Sequence, residues 1–214
     1  MSWEVSVYDP LGVTLVSSAV NGVTPIEFII GGGTAGGQVG IRGFDPPIVT
    51  PPGSGRVLNL YVKQSVMQIP ARGIIQFSID ATPVFWGPAV VVPPLTAVGA
   101  GPFDQDRDAL ERVTVLGGEQ LLRDTVIGPR LIEEETDVAA IAYELCNLYA
   151  HPALTVNVAN FPNTGAVLSI YYAPEKTLYD ALQGLVDTVP GGQTVCWVDA
   201  EGAIHFESFA PAPD

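Results

Sequence analysis

Basic residues are scarce in this chain. Its 214 residues include nine lysines and arginines against 23 aspartates and glutamates, a formal net charge of −14 with a sequence pI near 4.3. The nine cations are scattered, so they cannot form the basic stripe that phosphate binding needs. Nucleic-acid binding is therefore disfavoured, whereas an acidic face that repels nucleic acid is compatible with the charge.

Cysteine and histidine are rarer still. Cys146 and Cys196 have no CxxC spacing and sit in apolar runs. This favours two reduced core thiols, because free cysteine is usually buried, although a disulfide between them stays open. His151 and His205 have no cysteine or carboxylate nearby at ligand spacing, so a zinc site is weakly supported.

Long apolar runs are missing as well. No uninterrupted stretch reaches the roughly 20 residues that a membrane-spanning helix needs, and the chain does not begin with a charged-then-apolar signal segment. We therefore expect no membrane-spanning segment, and synthesis and assembly in a cytoplasm. The chain is nonetheless 47% hydrophobic and only 15% charged, which favours an ample core or surfaces that become buried in an assembly.

The first hundred residues are predicted to be all-β. The pattern predicts a hairpin over residues 3–16 and further strands at 25–30, 38–42, 57–64, 74–79 and 84–86. Two proline-rich segments, 45–55 and 88–102, are predicted to be irregular loops. A long apolar loop such as 88–102 is unusual inside a lone domain. It indicates a surface covered by a partner, or one packed against the chain's own body.

After residue 103 the pattern becomes mixed. A strand is predicted at 112–116, a helical turn at 118–123 and a short strand at 156–158. Thr136 or Asp137 starts a clear helix that ends at His151. Its predicted apolar face comprises Val138, Ile141, Leu145 and Leu148.

Residues 165–207 carry the most consistent signals. A β run at 167–172 is followed by Thr177, a good helix N-cap with Asp180 three residues on. The helix is predicted to run to Val189 and to stop at Pro190 and the following glycines. Two β runs, 195–198 and 203–206, then flank a turn in which Gly202 supplies a positive φ.

These elements predict a β-rich α+β fold. Residues 1–102 would form a β-barrel or sandwich domain, which the strand at 112–117 could complete. Residues 103–214 would form an α+β domain with helices at about 136–150 and 177–189 and a C-terminal hairpin.

Candidate chemical motifs fail on inspection. Asp104–Asp108 resembles a calcium-loop start, but Ala109 and Val115 occupy the required glycine and glutamate positions. The glycines at 31–37 lack the lysine and the following helix of a phosphate loop. Glu133–Glu135 precede a helix start, where negative charge is structurally favourable. We therefore predict no enzyme, no cofactor, and no catalytic, cofactor-binding or metal-binding residues.

Taken in order, the motifs resemble the hub proteins at the tail tip or baseplate of tailed phages. Phe85–Gly87 resembles the "F-x-G" that closes the first sheet of such proteins, and residues 113–122 resemble the strand and short helix that follow. Asp137–Leu148 resembles their next helix. The strongest similarity is Thr177–Leu182 with Trp197–Phe206.

The resemblance implies a tail-tube-like β domain with an α+β domain beside it, and a structural role in the virion. Such a subunit closes the tail tube and docks tail-tube, distal-tail, and tip or fibre proteins, while DNA passes through the lumen without specific binding. It would be assembled in the host cytoplasm and reside at the tail tip. A homotrimer is favoured, because family hubs usually carry two tube-like domains per chain, so that three chains imitate a six-fold tube. This sequence shows one such domain, which leaves as alternatives a hexamer, a second protein that supplies the other domain, or a truncated chain. The alternatives in function are a carbohydrate-binding or adhesin-like β module of the tail, and a tail-associated hydrolase.

Overall fold

The structure is a computed structural model that describes residues 3–20, 28–32, 56–62, 69–91, 111–169, 171–173, 175–191 and 194–208. The described residues fall into two compact units, the first extending to Gly117 and the second beginning at Gly118. The predicted strand at 38–42, the loop at 45–55 and the calcium-like segment at 104–108 lie outside the described residues. No helix of the described part is long and apolar enough to cross a membrane.

The first unit consists of antiparallel strands. They are β1 Trp3–Tyr8, β2 Leu15–Val20, β3 Phe28–Gly32, β4 Arg56–Val62, β5 Ile74–Ile79, β6 Thr82–Val91 and β7 Glu111–Leu116. The sheet order is β2-β1-β5-β6-β7-β4-β3. The described part therefore has two edge strands, and no pairing there joins β2 to β3. Of the two predicted forms, barrel or sandwich, the described part shows no closed barrel, because its sheet is open.

The predicted hairpin at the start of the chain is confirmed. Asp9 closes its turn, because its Oδ1 accepts a hydrogen bond from the Val13 amide at 2.9 Å. That bond is the main cause that holds the pKa of Asp9 below its usual value. Gly12 takes a φ of 72°, which a residue with a Cβ rarely adopts.

Strand β6 belongs to both halves of the sheet. From Thr82 to Pro88 it pairs with β5, and from Ala89 to Val91 it pairs with β7. The change of partner falls at Pro88, which has no amide hydrogen to donate, while the next amide bonds the Gly73 carbonyl at 2.8 Å. The prediction of an irregular loop from residue 88 is therefore wrong for residues 88–91, and residues 92–102 lie outside the described part.

An apolar cluster holds the two halves of this sheet together. Alternate residues of the strands point inwards, as the period of two requires. Its buried members are Val5, Val7, Leu58, Ile75, Phe77, Phe85, Ala89, Val113 and Val115. Strands β1 and β5 on one side of β6 and strands β7 and β4 on the other all contribute, so the sheet bends around its own core.

The second unit combines three helices with short strands. The helices are α1 Glu119–Asp124, α2 Val138–Tyr149 and α3 Leu178–Val186, with a 3-10 turn at Val158–Asn160. The strands are β8 Val126–Ile127, β9 Arg130–Ile132, β10 Thr136–Asp137, β11 Thr155–Val156, β12 Val167–Leu168, β13 Tyr171–Ala173, β14 Lys176–Thr177, β15 Thr194–Val198 and β16 Ala203–Ser208. Together the two units confirm the predicted β-rich α+β fold.

Six of these short strands make one antiparallel ribbon. Val126 pairs with Thr177, Leu131 with Tyr172 and Asp137 with Val167. The register is the same throughout except for a one-residue shift between Ile132 and Thr136. We call residues 126–137 and 167–177 the ribbon. One helix follows each of its strands, α2 after β10 and α3 after β14.

The helices bury one face, as their spacing predicts. Val138, Ile141 and Leu145 of α2 are fully buried, but Leu148 is exposed, so its predicted place on the apolar face is wrong. Helix α3 begins at the predicted cap, where Thr177 Oγ1 accepts from the Asp180 amide at 3.1 Å. It ends at Val186, three residues before the predicted end.

The C-terminal hairpin of β15 and β16 is confirmed, and Gly202 has a φ of 81°. Strand β11 pairs with β16 in parallel and completes a three-stranded sheet. The strand predicted at 156–158 starts one residue earlier and gives way to the 3-10 turn at Val158. Phe161, which follows this turn, packs against the hairpin, since its ring stacks on that of Phe206 in β16 at a centroid distance of 6.4 Å.

The crossing of β6 provides a first test. A Cβ at Gly87 would lie 1.8 Å from the Leu116 carbonyl oxygen, so Gly87→Ala must push β6 and β7 apart. We expect it to lower the free energy of unfolding by about 2–3 kcal/mol, measured by urea denaturation. Gly128→Ala is the matched control, because nothing lies within 4 Å of its Cβ position, and it should change stability little. Equal stability of the two variants would contradict this close approach.

Candidate functional site

The clearest polar cluster surrounds His205 on the C-terminal hairpin. Its Nε2 lies 2.9 Å from Asp199 Oδ2 and its Nδ1 lies 3.1 Å from Glu207 Oε1. Ionised carboxylates only accept hydrogen bonds, so both bonds form together only when both ring nitrogens carry hydrogen. The ring also stacks on Trp197 with centroids 4.8 Å apart.

The sequence indicated no carboxylate at metal-ligand spacing from His205, yet the fold brings two carboxylates within hydrogen-bond distance of its ring. Residues two apart in a strand share a face, which places Glu207 beside His205, and the hairpin turn returns Asp199 to the same side. Extending the predicted strand at 203–206 by one residue would have placed Glu207 on the same face as His205. The cluster ties the turn to the strand, since Asp199 Oδ1 also accepts from the Glu201 and Ala203 amides at 2.9 Å.

A second polar cluster is centred on Asp137, the N-cap of α2. Its carboxylate accepts from the Ala139 amide at 2.9 Å, the Gly165 amide at 2.9 Å and the Thr164 hydroxyl at 3.1 Å. The backbone bond from the Val138 amide to the Ala166 carbonyl lies beside it. One side chain therefore caps the helix and also fixes the loop that leads into β12. The sequence predicted that Thr136 or Asp137 starts the helix, and the structure has Asp137 as the cap. The contact with Gly165, 28 residues away, leaves no local signal in the sequence.

The structure shows where the other two sequence candidates, His151 and the glutamates at 133–135, lie. His151 follows α2, and its Nδ1 accepts from the Ala153 amide at 3.2 Å. The glutamates are exposed where the ribbon shifts register. Within the described residues, no group of three histidine, cysteine or acidic side chains is arranged to hold a metal ion.

The two cysteines are free thiols in the core of the second unit. Burial raises the pKa of Cys146 to about 12. Burial, followed by the charges of Cys146 and Glu119, raises the pKa of Cys196 as well. Both thiols therefore stay protonated near neutral pH, and the protonated thiol is a poor nucleophile.

Exposed aliphatic side chains are the most conspicuous surface feature. In the first unit Leu11, Val13, Leu15 and Val16 lie together on the β1–β2 hairpin, with Val13 76% exposed. We call these four residues the hairpin patch. In the second unit the exposed aliphatics are Val126, Leu131, Leu148, Val158 and Val167, three of them on the ribbon. Clustered exposed apolar groups mark surfaces that bind other molecules.

Charge is divided unequally between the two parts of the chain. Residues 118–214 contain 14 acidic and three basic side chains, a net charge of −11, whereas residues 1–117 contain nine and six, a net charge of −3. One of the three cations, Arg130, is paired with Glu144. Another, Arg123, lies over the Tyr179 ring, 3.6 Å from its centroid. The acidic character of the chain therefore belongs mainly to the second unit.

Comparison with known proteins finds a similar fold. No protein-family model matches the chain, and no curated protein matches its sequence. Among solved structures, the 43 kDa tail protein of prophage MuSo2 from Shewanella oneidensis is similar, with a TM-score of 0.52 and 11% sequence identity. The likeness covers 95% of this chain and 53% of that protein. The chain thus spans about half the length of a prophage tail protein whose fold it shares.

The Asp137 cluster predicts an unequal effect of two helix caps. Thr177→Ala removes one cap and should lower the free energy of unfolding by about 1 kcal/mol. Asp137→Ala also frees the loop at Thr164 and Gly165, so we expect a larger loss, about 2–3 kcal/mol. Thermal or urea unfolding of both variants measures the difference. A loss no larger for Asp137→Ala than for Thr177→Ala would show that the loop contacts contribute nothing.

The buried thiols predict slow chemical modification. At pH 8 the raised pKa values keep both thiols protonated, and burial excludes the reagent. The native protein should therefore react with Ellman's reagent far more slowly than the urea-unfolded protein, in which two thiols per chain should react at once. Rapid reaction of either thiol in the native state would contradict the core placement.

Proposed function

We propose that this chain is a structural component of the virion of a tailed bacteriophage. The observation that carries the proposal is the similarity of its fold, over 95% of its length, to a prophage tail protein. The order of motifs in the sequence points to the same class of protein independently of the fold. We further propose that its place is the tail tip or baseplate, as a hub subunit assembled in the host cytoplasm.

In this role the protein acts by geometry and not as an enzyme. Its exposed aliphatic groups on the hairpin patch and the ribbon suit an assembly subunit, because burying them against neighbours stabilises a complex. The neighbours that the role implies are the tail-tube, distal-tail, and tip or fibre proteins. Three copies around the tail axis are proposed, with six as the alternative.

The charge of the second unit fits a tail through which DNA passes. A net charge of −11 over residues 118–214 repels the phosphate backbone. We propose that DNA moves through the lumen of the assembly without specific binding. The near-neutral first unit leaves copies of the chain free to approach one another, because its charge of −3 is shared by nine acidic and six basic residues.

The burial of two of the tryptophans argues against the carbohydrate-binding alternative. Sugar sites present exposed aromatic faces, but Trp86 and Trp197 are each 7% exposed and belong to different units. Among the residues that the structure describes, no observation favours the hydrolase alternative. The polar clusters at His205 and Asp137 are instead accounted for by the turns and the helix that they hold.

The proposed function is tested in the particles made by the strain that encodes the chain. We expect mass spectrometry of purified virions to detect the protein in a few copies per particle. Disruption of its gene should leave capsids without completed tails, and a plasmid copy should restore them. Infectious particles of normal morphology that lack the protein would refute the tail role.

A further inference from the structure

His205 lies between two carboxylates on the C-terminal hairpin. Its Nε2 is 2.9 Å from Asp199 Oδ2, and its Nδ1 is 3.1 Å from Glu207 Oε1. The His205 side chain is only 19% exposed, so protein groups supply most of the hydrogen bonds that its ring can form. Both ring nitrogens therefore face acidic partners, one in the turn and one on the strand.

This arrangement is complete for only one protonation state of the ring. A neutral imidazole has one N–H donor and one bare nitrogen that can only accept. An ionised carboxylate also only accepts, so it forms no hydrogen bond with a bare nitrogen. The doubly protonated ring donates to both carboxylates, and each bond then joins opposite charges, which makes it stronger than a neutral one.

The ring of Trp197 holds the imidazole in the position that both bonds require. Trp197 and His205 are paired across the hairpin, and their rings stack 4.8 Å apart and within 9° of parallel. A cation over an indole face is attracted by the electrons of the ring. The stacking therefore suits the protonated imidazole as well.

The other described groups on this side of the hairpin are uncharged or acidic. Strand β11 runs parallel to β16 with Thr155 beside Ala203, so Asn157, two residues on and still extended, comes level with His205. Glu201 is exposed in the hairpin turn. The charge that surrounds the ring on this side is thus negative.

The helices bring two further titratable side chains to the hairpin. Glu119 of α1 reaches β15, where its Oε1 accepts from the Val198 amide at 3.4 Å. Tyr143 of α2 packs edge-on against Phe161, which stacks on Phe206. Residues that alternate along a strand point to opposite faces, so this aromatic stack lies on the other face of β16 from the imidazole.

We propose that the C-terminal hairpin is a pH-sensitive element, in which a protonated His205 clamps the turn to the strand and loss of its proton releases one of the two bonds. The clamp has two charge-assisted bonds in mild acid and one weaker bond after the proton is lost. Its contribution to stability is therefore present at low pH and falls as the pH rises. Histidine ordinarily changes charge between pH 5 and 8, a range in which carboxylic acids are ordinarily ionised. The inference does not depend on the proposed virion role.

Urea unfolding of the full chain at pH 5.5 and pH 8 tests the clamp. In protein labelled with 5-fluorotryptophan, ¹⁹F NMR follows Trp197 in the second unit separately from Trp3 and Trp86 in the first. Between the two pH values, the unfolding equilibrium constant that Trp197 reports should rise about tenfold more in the parent than in His205→Gln. This is the effect of losing one charge-assisted hydrogen bond, about 1.4 kcal/mol. His151→Gln changes the chain's other histidine and is the matched control, which should keep the pH response of the parent.

A second variant keeps the ring and changes one of its partners. In Glu207→Gln the new amide can donate to a bare Nδ1 while Asp199 accepts from Nε2–H, so a neutral ring is fully bonded. This variant should fold and should lose the extra pH response.

Two results would overturn the proposal. One is an equal pH response of the parent and His205→Gln, and the other is a full pH response that survives in Glu207→Gln. If His205→Gln does not fold, the comparison of the parent with Glu207→Gln decides the question alone.

Discussion

The architecture of the first unit depends on one close approach between two strands. Strand β6 leaves β5 and joins β7 within a few residues, and at the crossing Gly87 lies against the Leu116 carbonyl with no room for a side chain. Because the same strand serves both halves of the sheet, the halves share one core. Because the described sheet bends around its core without closing, it ends in two edge strands, β2 and β3.

The second unit is organised around the ribbon and the two helices that follow its strands. A two-stranded ribbon is marginal in water by itself, but here a helix follows each of its strands, and both helices bury an apolar face. Asp137 and Thr177 stand at the two points where strand becomes helix, and each caps the helix that it starts. The unit is thereby fixed from within, which leaves its acidic and exposed aliphatic surface for neighbours.

The sequence predicted those features whose causes are local. The hairpin turns at Asp9 and Gly202 and the caps at Asp137 and Thr177 follow from residue chemistry within a few positions. The residues that were predicted wrongly depend on distant partners. Residues 88–91 carry a proline and look like a loop, yet β5 and β7 supply the pairing that makes them strand. Leu148 fits the helical spacing but lies beyond the core that covers α2, and the contact of His205 with Asp199 requires the hairpin to be folded.

The central claim is that this fold serves as a building block of a phage tail tip. Its most direct test is an electron cryo-microscopy reconstruction of the tail of particles that carry the chain. The account predicts density for the two units in three or six copies around a central channel at the distal end of the tail. A tail tip resolved well enough to trace its chains, in which no density fits either unit, would contradict it.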